Sequence, residues 1–345
     1  MMPTIDELLL GKDLMVSQAE QIFHHLFLKK PLDQESAKMI LVLLRKKGES
    51  ASELTGLVRA VRKLEKPLSR PRYSNLVDGC GTGGDGTNTF NISTIASIVA
   101  AGAGAYVAKH GNRSISSKCG SADLLEALGV KINAPRKRML KALKKCNFAY
   151  FHAPLYHHAF EVLQTIRKNL KLGRLRMRTI FNMVGPLVNP LRPRRQAIGV
   201  FQKDLIPIVA EATKKLNFER ALIFRSRDGM DELSTIKKSL VMEINNGQAK
   251  RYEISAQQLG FRRGKRKELD GGNPTLNSKI ATEILNGKKR GTARDVVFLN
   301  AAAILYTSGK ARSIKEGIAL ARKSIDSKSA QHVLKQLIRI SRGLE

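Results

Sequence analysis

Five of the eight residues from 79 to 86 are glycine, in Gly79-Cys80-Gly81-Thr82-Gly83-Gly84-Asp85-Gly86. A helix or strand interior does not carry glycine at that density, since each one costs about 0.5–1 kcal/mol relative to alanine. The segment reads as a loop in which bare backbone approaches something closely. A short apolar stretch near Leu76-Val77 leads into it, and an apolar helix from about Ser93 to Ala103 leads out. Strand, glycine turn and helix together aim free N–H groups and the positive end of a helix at an anion. Asn91, Ser93 and Thr94 stand where that helix begins, placed to cap it or to bind phosphate or metal.

Gly81-x-Gly83-x-x-Gly86 also matches the dinucleotide fingerprint, a weak signal on its own. That fingerprint needs an acidic residue at the end of the next strand to hold a ribose hydroxyl. Here the next apolar stretch, Ala105 to Ala108, ends in Lys109, so a nicotinamide cofactor is not expected. The segment Lys109-His110-Gly111-Asn112-Arg113 instead sets two phosphate-binding cations beside a His and an Asn. Ser114, Ser116, Ser117, Lys118 and Ser121 extend the run of donors up to a helix expected from Asp123 to Leu128. Further on, Asp228-Gly229-Met230-Asp231-Glu232 follows an apolar stretch, Ala221 to Phe224. Adjacent carboxylates suit a hard cation such as Mg²⁺, which keeps waters and substrate phosphates as its other ligands.

The rest of the chain supplies the scaffold. Its first 65 residues or so read as three amphipathic helices. Ser17-x-x-Glu20 is a capping box opening Gln18 to Lys29, a second helix runs from Gln34 to Lys47 before Gly48, and Ser50-x-x-Glu53 opens the third. Residues 66–74, with Pro67 and Pro71, read as a linker. Beyond it, candidate strands at Phe148 to Phe151, Ala197 to Phe201 and Ala221 to Phe224 alternate with helices, which predicts an α/β domain with a mostly parallel sheet. Leu240 to Ile244 and Ala249 to Ile254, joined by Asn245-Asn246-Gly247, predict a hairpin, and Ser278 to about Ile338 is helical. The expected division is a small helical domain, 1–70, and a larger α/β domain, 75–345.

Charge complicates this picture. Lys and Arg outnumber Asp and Glu by 61 to 29, a net charge of +32. Such a field attracts polyanions, and nonspecific nucleic-acid affinity at low salt is expected. Aromatics are only 5% and Trp is absent, which leaves little to build a base-stacking platform. No run of about 20 apolar residues predicts a membrane span. The start of the chain, Met1 to Glu7, lacks a signal-peptide pattern, and three cysteines (Cys80, Cys119, Cys146) without C-x-x-C spacing fit a reducing cytosol, so a cytoplasmic location is expected.

These segments, in this order, resemble the anthranilate phosphoribosyltransferase family, of the nucleoside phosphorylase/phosphoribosyltransferase type. The resemblance takes in Arg45 to Glu49, Asp78 to Thr94, Lys109 to Asp123, Arg178 to Asn182 with Gly185 to Pro190, Gly229 to Glu232, and Ala293-Arg294-Asp295 leading to Asn300-Ala301-Ala302-Ala303. It implies a Mg²⁺-dependent pentosyltransferase of tryptophan biosynthesis, moving the phosphoribosyl group of phosphoribosyl pyrophosphate (PRPP) to anthranilate. It implies a homodimer, two Mg²⁺ per subunit, and helices around 160–190 returning to the small domain. PRPP would lie among Gly81, Gly84, Asp85, Thr89, Asn91, Ile92, Ser93, Thr94, Lys109, His110, Gly111, Asn112, Arg113, Ser114, Ser117 and Ser121. Ser93, Asp231 and Glu232 would serve the metal, with Lys109 and His110 also at the chemistry. Gly81, His110, Asn112, Arg167 and the Tyr156-His157 region would line the anthranilate pocket. The chain departs from the family pattern in a basic insertion near Lys171 to Arg176 and in His158, where a proline is common. Two other readings of the same features are a nucleoside phosphorylase-like enzyme and a non-catalytic nucleic-acid-binding relative. The intact glycine loop and acidic pair weigh against the second.

Overall fold

The computed structural model describes residues 3–28, 34–65, 73, 75–114, 117–157, 171–172 and 175–345. Four helices come first: α1 (Pro3–Leu9), α2 (Val16–Leu28), α3 (Gln34–Lys47) and α4 (Ala51–Leu64). Helix α1 has no counterpart among the three expected helices. The capping box expected at Ser17 is also absent: α2 already begins at Val16, and the Gln18 side chain accepts from Met15 N at 2.8 Å. The Ser50–Glu53 capping box on α4 is formed in both directions. Most of the expected linker, 66–72 and 74, lies outside the described residues.

The α/β part then runs β1 (Val77–Gly81), α5 (Ile92–Gly102), β2 (Val107–Gly111), α6 (Ser121–Ala127), α7 (Arg136–Cys146) and β3 (Phe148–His152). A two-stranded pair follows, β4 (Lys171–Leu172) with β5 (Leu175–Arg176), and then α8 (Phe181–Val184). The basic insertion is thus an antiparallel pair, not part of a returning helix; residues 158–170 lie outside the described residues. Next come β6 (Arg195–Gly199), α9 (Leu205–Lys215), β7 (Arg220–Ser226), β8 (Ser239–Asn245) and β9 (Gln248–Ile254). The expected β8–β9 hairpin turns at Asn246-Gly247, both with positive φ, as a tight two-residue turn requires. Four helices close the chain: α10 (Pro274–Leu285), α11 (Thr292–Ser308), α12 (Ile314–Asp326) and α13 (Ser329–Arg342).

The main sheet has seven strands in the order β3-β2-β1-β6-β7-β8-β9. Five of them are parallel, and β8 and β9 extend the sheet antiparallel. Alternating side chains divide it between two cores, since successive strand residues face opposite ways. Ala197, Leu222 and Phe224 pack with α5, α11 and the other C-terminal helices. Ile198, Ala221 and Ile223 pack with α9, α8 and the helices α1–α4. The N-terminal helices therefore share one core with the second face of the sheet. Helix α7, unnoticed beneath its basic residues, buries Met139, Ala142, Leu143 and Cys146. Among the described residues no helix is long and apolar enough to cross a membrane.

Candidate active site

Strands β1 and β6 are neighbours in the sheet, yet the chain leaves β1 toward β2 and reaches β6 only much later. Such a switch point opens a crevice beyond the carboxyl ends of the strands. Here Gly81, the last residue of β1, is in register with Gly199, the last of β6. Both are glycine for one reason. A Cβ on Gly81 would stand 2.4 Å from Asp231 Oδ2, and one on Gly199 would stand 1.6 Å from the Asp231 carbonyl oxygen. Asp231 is thus seated directly on the paired strand ends. Gly81 was expected in the site for its approach to substrate; Gly199 was not noticed at all, since a lone glycine ending an apolar strand gives no sequence signal.

The acidic segment and the glycine loop meet at this seat. Gly83 N donates to Asp231 Oδ2 at 2.7 Å, and Asp231 N donates to Asp85 Oδ2 at 3.2 Å. Ser93 N, in the first turn of α5, donates to Glu232 Oε1 at 3.1 Å. Gly83, Gly84 and Gly86 all hold positive φ, so the loop needs glycine for its backbone path. Asp228 instead builds its own turn, accepting from Ser234 Oγ at 2.6 Å and from Ser226 Oγ. No helix begins at Asp231, so these acids do not serve a helix N-terminus.

Three carboxylates in one place repel. Burial first, and then the Asp85 carboxylate, push Asp231 up to about 7. Burial and then Asp231 drive Glu232 well above the usual carboxylate range, with Lys109 opposing. This is the charge pattern that a divalent cation relieves. Among the described residues no three His, Cys, Asp or Glu side chains converge into a complete metal cage. The donors therefore fit Mg²⁺, which draws its remaining oxygens from substrate and water, better than a transition metal.

Lys109 differs from expectation. Strand β2 continues through Lys109, His110 and Gly111 rather than ending before them. The alternation then buries Lys109 to 1% exposure, where its ammonium donates to Gly79 O at 2.7 Å and faces Asp78 and Glu232. It lies beneath the glycine loop as a counter-ion rather than in open reach of a phosphate. Asp78, pushed up to about 6 by burial, accepts from Asn189 Nδ2 at 2.8 Å. Gly111 admits Ser121, since a Cβ there would stand 2.1 Å from Ser121 Oγ.

Beyond β2, Asp123 organises the loop by accepting from Ser114 N at 3.0 Å and Gly120 N at 2.8 Å. Arg113 forks onto Asp123 and Glu126, each at 2.8 Å, so a phosphate would have to displace these acids. Ser114 and Ser117 bond each other at 2.7 Å, and Asn112 Oδ1 accepts from Arg113 N at 2.7 Å. Residues 115 and 116 lie outside the described residues. Asn91 does not cap α5. Its amide donates to Cys119 O at 2.9 Å and its Oδ1 accepts from Asn277 at 2.9 Å. The Thr94 hydroxyl is buried with no hydrogen-bond partner among the described residues, and Ile92 is buried in the core. Thr89 bridges to Asp270, which ties the loop to the segment before α10.

Two residues in motifs already noted acquire roles only from the structure. Arg178 donates to Gly84 O at 2.5 Å and lies 4.4 Å over the Phe201 ring, pinning the glycine loop at Gly84. Asn300 on α11 accepts from Leu233 N at 3.0 Å and donates to Leu233 O at 2.9 Å, locking the backbone just after Glu232. His110 and His157 meet at 2.8 Å between their Nε2 atoms, both buried, while Arg167 and His158 lie outside the described residues. The space enclosed by Gly79, Gly81, Ser93, Gly199, Glu232 and Asn300 is only about 10 Å³. A larger cleft of about 510 Å³, lined by Lys145, Lys328 and Lys335, lies away from all of these residues. The chemistry is gathered at the small space, not at the large one.

Residues 73–331 match the sequence model of a family described as glycosyl transferase family, a/b domain. A curated anthranilate phosphoribosyltransferase from Rubrobacter xylanophilus is 41% identical over 310 residues, 90% of this chain and 89% of that protein. The crystal structure of anthranilate phosphoribosyltransferase from Thermus thermophilus superposes with a TM-score of 0.91 at 36% identity, over 99% of this chain and 100% of that one. The Saccharomyces cerevisiae enzyme in complex with PRPP and Mg gives a TM-score of 0.83 at 27% identity, over 95% and 93%. With identity and coverage of this extent added to the shared architecture, the chain belongs to the anthranilate phosphoribosyltransferase family.

Proposed function

We propose that this chain transfers the phosphoribosyl group of PRPP to the amine of anthranilate, giving N-(5-phosphoribosyl)anthranilate and pyrophosphate, and that it requires Mg²⁺. The observation that carries this reading is the seat of Asp231 on Gly81 and Gly199, bonded to the loop at Gly83 and Asp85. It supports reading the glycine loop as an anion cradle and the acidic pair as a cation-binding site in one crevice.

In this reading, the amine attacks C1 of the ribose and pyrophosphate leaves with the bonding electron pair. Catalysis is then positioning and stabilisation of charge on the leaving group rather than covalent catalysis. Backbone N–H groups of Gly84, Asp85 and Gly86 and the N-terminus of α5 would face the diphosphate, while those of Thr82 and Gly83 already donate to Gly199 O and Asp231 Oδ2. Ser93, Asp231 and Glu232 would hold Mg²⁺, which when bound supplies positive charge against the diphosphate oxygens. Lys109 balances Asp78 and Glu232 from below and keeps the buried acids tolerable. Arg113, released from Asp123 and Glu126, would fork onto a phosphate. His110, Asn112, His157 and Arg167 would form the acceptor side.

We further read the protein as a homodimer with two Mg²⁺ per subunit, divided at residues 70–75 into two domains that close on substrate and exclude water. A cytoplasmic location suits this chemistry, and the charge of +32 supports weak polyanion binding at low salt. The test is fluorescence-detected consumption of anthranilate in the presence of PRPP and Mg²⁺. Turnover that needs all three components supports the reading. Turnover of nucleosides with phosphate, and none of anthranilate, would replace it.

A further inference from the structure

Polar groups from three distant segments stand in one line beside the glycine loop. Gly272 N, just before α10, donates to Asn277 Oδ1 at 2.8 Å. Asn277 Nδ2 donates to Asn91 Oδ1 at 2.9 Å, and Asn91 Nδ2 donates to Cys119 O at 2.9 Å. Asn277 lies in the first turn of α10 and is 2% exposed. The line runs one way only. The amide of Gly272 can only donate and the carbonyl of Cys119 can only accept, so these two backbone ends fix how both side-chain amides are turned. Flipping either side chain would set donor against donor at one end and acceptor against acceptor at the other.

The line reaches both halves of the expected donor site. Asn91 immediately precedes α5, where an Asn ordinarily turns its side-chain oxygen onto an N–H of the first helical turn. Here Asn277 holds that oxygen, and α5 has no side-chain cap. At the other end, Cys119 O also accepts from Ser117 Oγ at 3.3 Å, and the next residue, Gly120, donates its N–H to Asp123. The bond from Asn91 therefore joins the start of α5 to the serine-rich loop after β2. The anchor of the line is backbone. Phe90 N donates to Leu269 O at 3.1 Å and Gly271 N to Asn88 O at 2.9 Å, which seats the segment before α10 against the end of the glycine loop.

We propose that Asn277 is a positioning residue for the PRPP site. It keeps the Asn91 oxygen off α5, which leaves the N-terminus of that helix to a substrate phosphate. It also aims the Asn91 amide at Cys119, which sets the spacing between α5 and the serine loop. This inference rests on the reading of Asn91 to Thr94 and of Ser114, Ser117 and Ser121 as donor-binding residues. Without Asn277, Asn91 is released to cap its own helix and to let go of Cys119. Asn277→Ala removes the line and leaves a gap. Asn277→Leu fills similar space and supplies no polar group. A role in packing alone predicts that Leu restores what Ala loses, whereas a role in directing Asn91 predicts that both variants fail alike.

The experiment is steady-state kinetics at saturating Mg²⁺, with PRPP and anthranilate varied in turn and Tm as the folding control. KM for PRPP should rise about tenfold in Asn277→Ala and in Asn277→Leu, the scale of one lost buried hydrogen bond. The kcat and the KM for anthranilate should stay within about twofold of wild type. In an Asn91→Ala background, removing Asn277 should add less than about twofold, because Asn277 acts through Asn91. A wild-type KM for PRPP in either folded variant, equal losses for both substrates, or fully additive effects with Asn91→Ala would overturn the proposal. Amide hydrogen exchange gives a reading without turnover: peptides covering residues 112–124 should exchange faster in Asn277→Ala than in wild type, and unchanged exchange there would also overturn it. Absence of anthranilate turnover in wild type would instead refute the enzymatic reading, and the exchange comparison would still decide whether Asn277 holds the loop.

Discussion

Replacing Gly199 with alanine adds one methyl group and should nearly silence the enzyme. The new Cβ would lie 1.6 Å from the Asp231 carbonyl oxygen and 2.5 Å from its carbon, both backbone atoms. Cβ contacts in proteins essentially never fall below 3.0 Å. Asp231 must therefore retreat by about 1.4 Å, more than the ~1 Å misplacement that typically costs about 100-fold in rate. The retreat also strains the bonds from Gly83 and to Asp85 that hold this residue. Overpacking of this kind costs about 1–3 kcal/mol of stability. A folded G199A protein is thus expected, with kcat down at least about 100-fold and a higher Mg²⁺ requirement. The assay is PRPP-dependent loss of anthranilate fluorescence over a Mg²⁺ titration, with Tm as the folding control. A folded G199A enzyme with wild-type kcat and Mg²⁺ dependence would refute the claim that Asp231 must sit on the strand ends.

Other consequences are equally direct. Asp231 binds its proton more tightly folded (about 7) than unfolded (near 3.8), so its contribution to stability is full below about pH 4 and is lost as pH rises through 7. The metal-free protein should lose Tm over that window, Mg²⁺ should restore it, and Asp231→Asn should flatten the slope; a Tm–pH curve unchanged by that substitution would count against the crowded carboxylates. Asn300→Ala leaves Leu233 N and O without partners, so a loss of about 2–4 kcal/mol in chemical denaturation and a raised Mg²⁺ activation constant are expected. Arg178→Met removes the bond to Gly84 O and the contact over Phe201, and KM for PRPP should rise while KM for anthranilate holds in steady-state kinetics.

What could be read from the sequence follows from how local the causes are. The Ser50–Glu53 capping box, the stop at Gly48 and the Asn246-Gly247 turn are set by neighbours in the chain, and each was legible. The glycine loop and the acidic pair were legible for the same reason, as local concentrations of unusual chemistry. The extent of β2 was not, because apolar alternation is broken at a lysine that the buried Asp78 and Glu232 make tolerable. Helix α7 was hidden by its lysines and arginines, although its buried face has ordinary helical spacing. Gly199, Asn300 and Arg178 act on residues far away in sequence, so nothing beside them in the chain reveals what they do. Asn277 is of the same kind: its partner Asn91 is 186 positions back, and only the fold brings the two together.

Calorimetric titration of PRPP into the protein, with and without Mg²⁺, reaches the central claim most directly. Wild type should bind tightly only when Mg²⁺ is present, and the D231A/E232A protein should bind weakly and equally in both conditions. Tight, Mg²⁺-dependent binding retained by the double variant would show that the donor and its metal are held somewhere other than over the ends of β1 and β6.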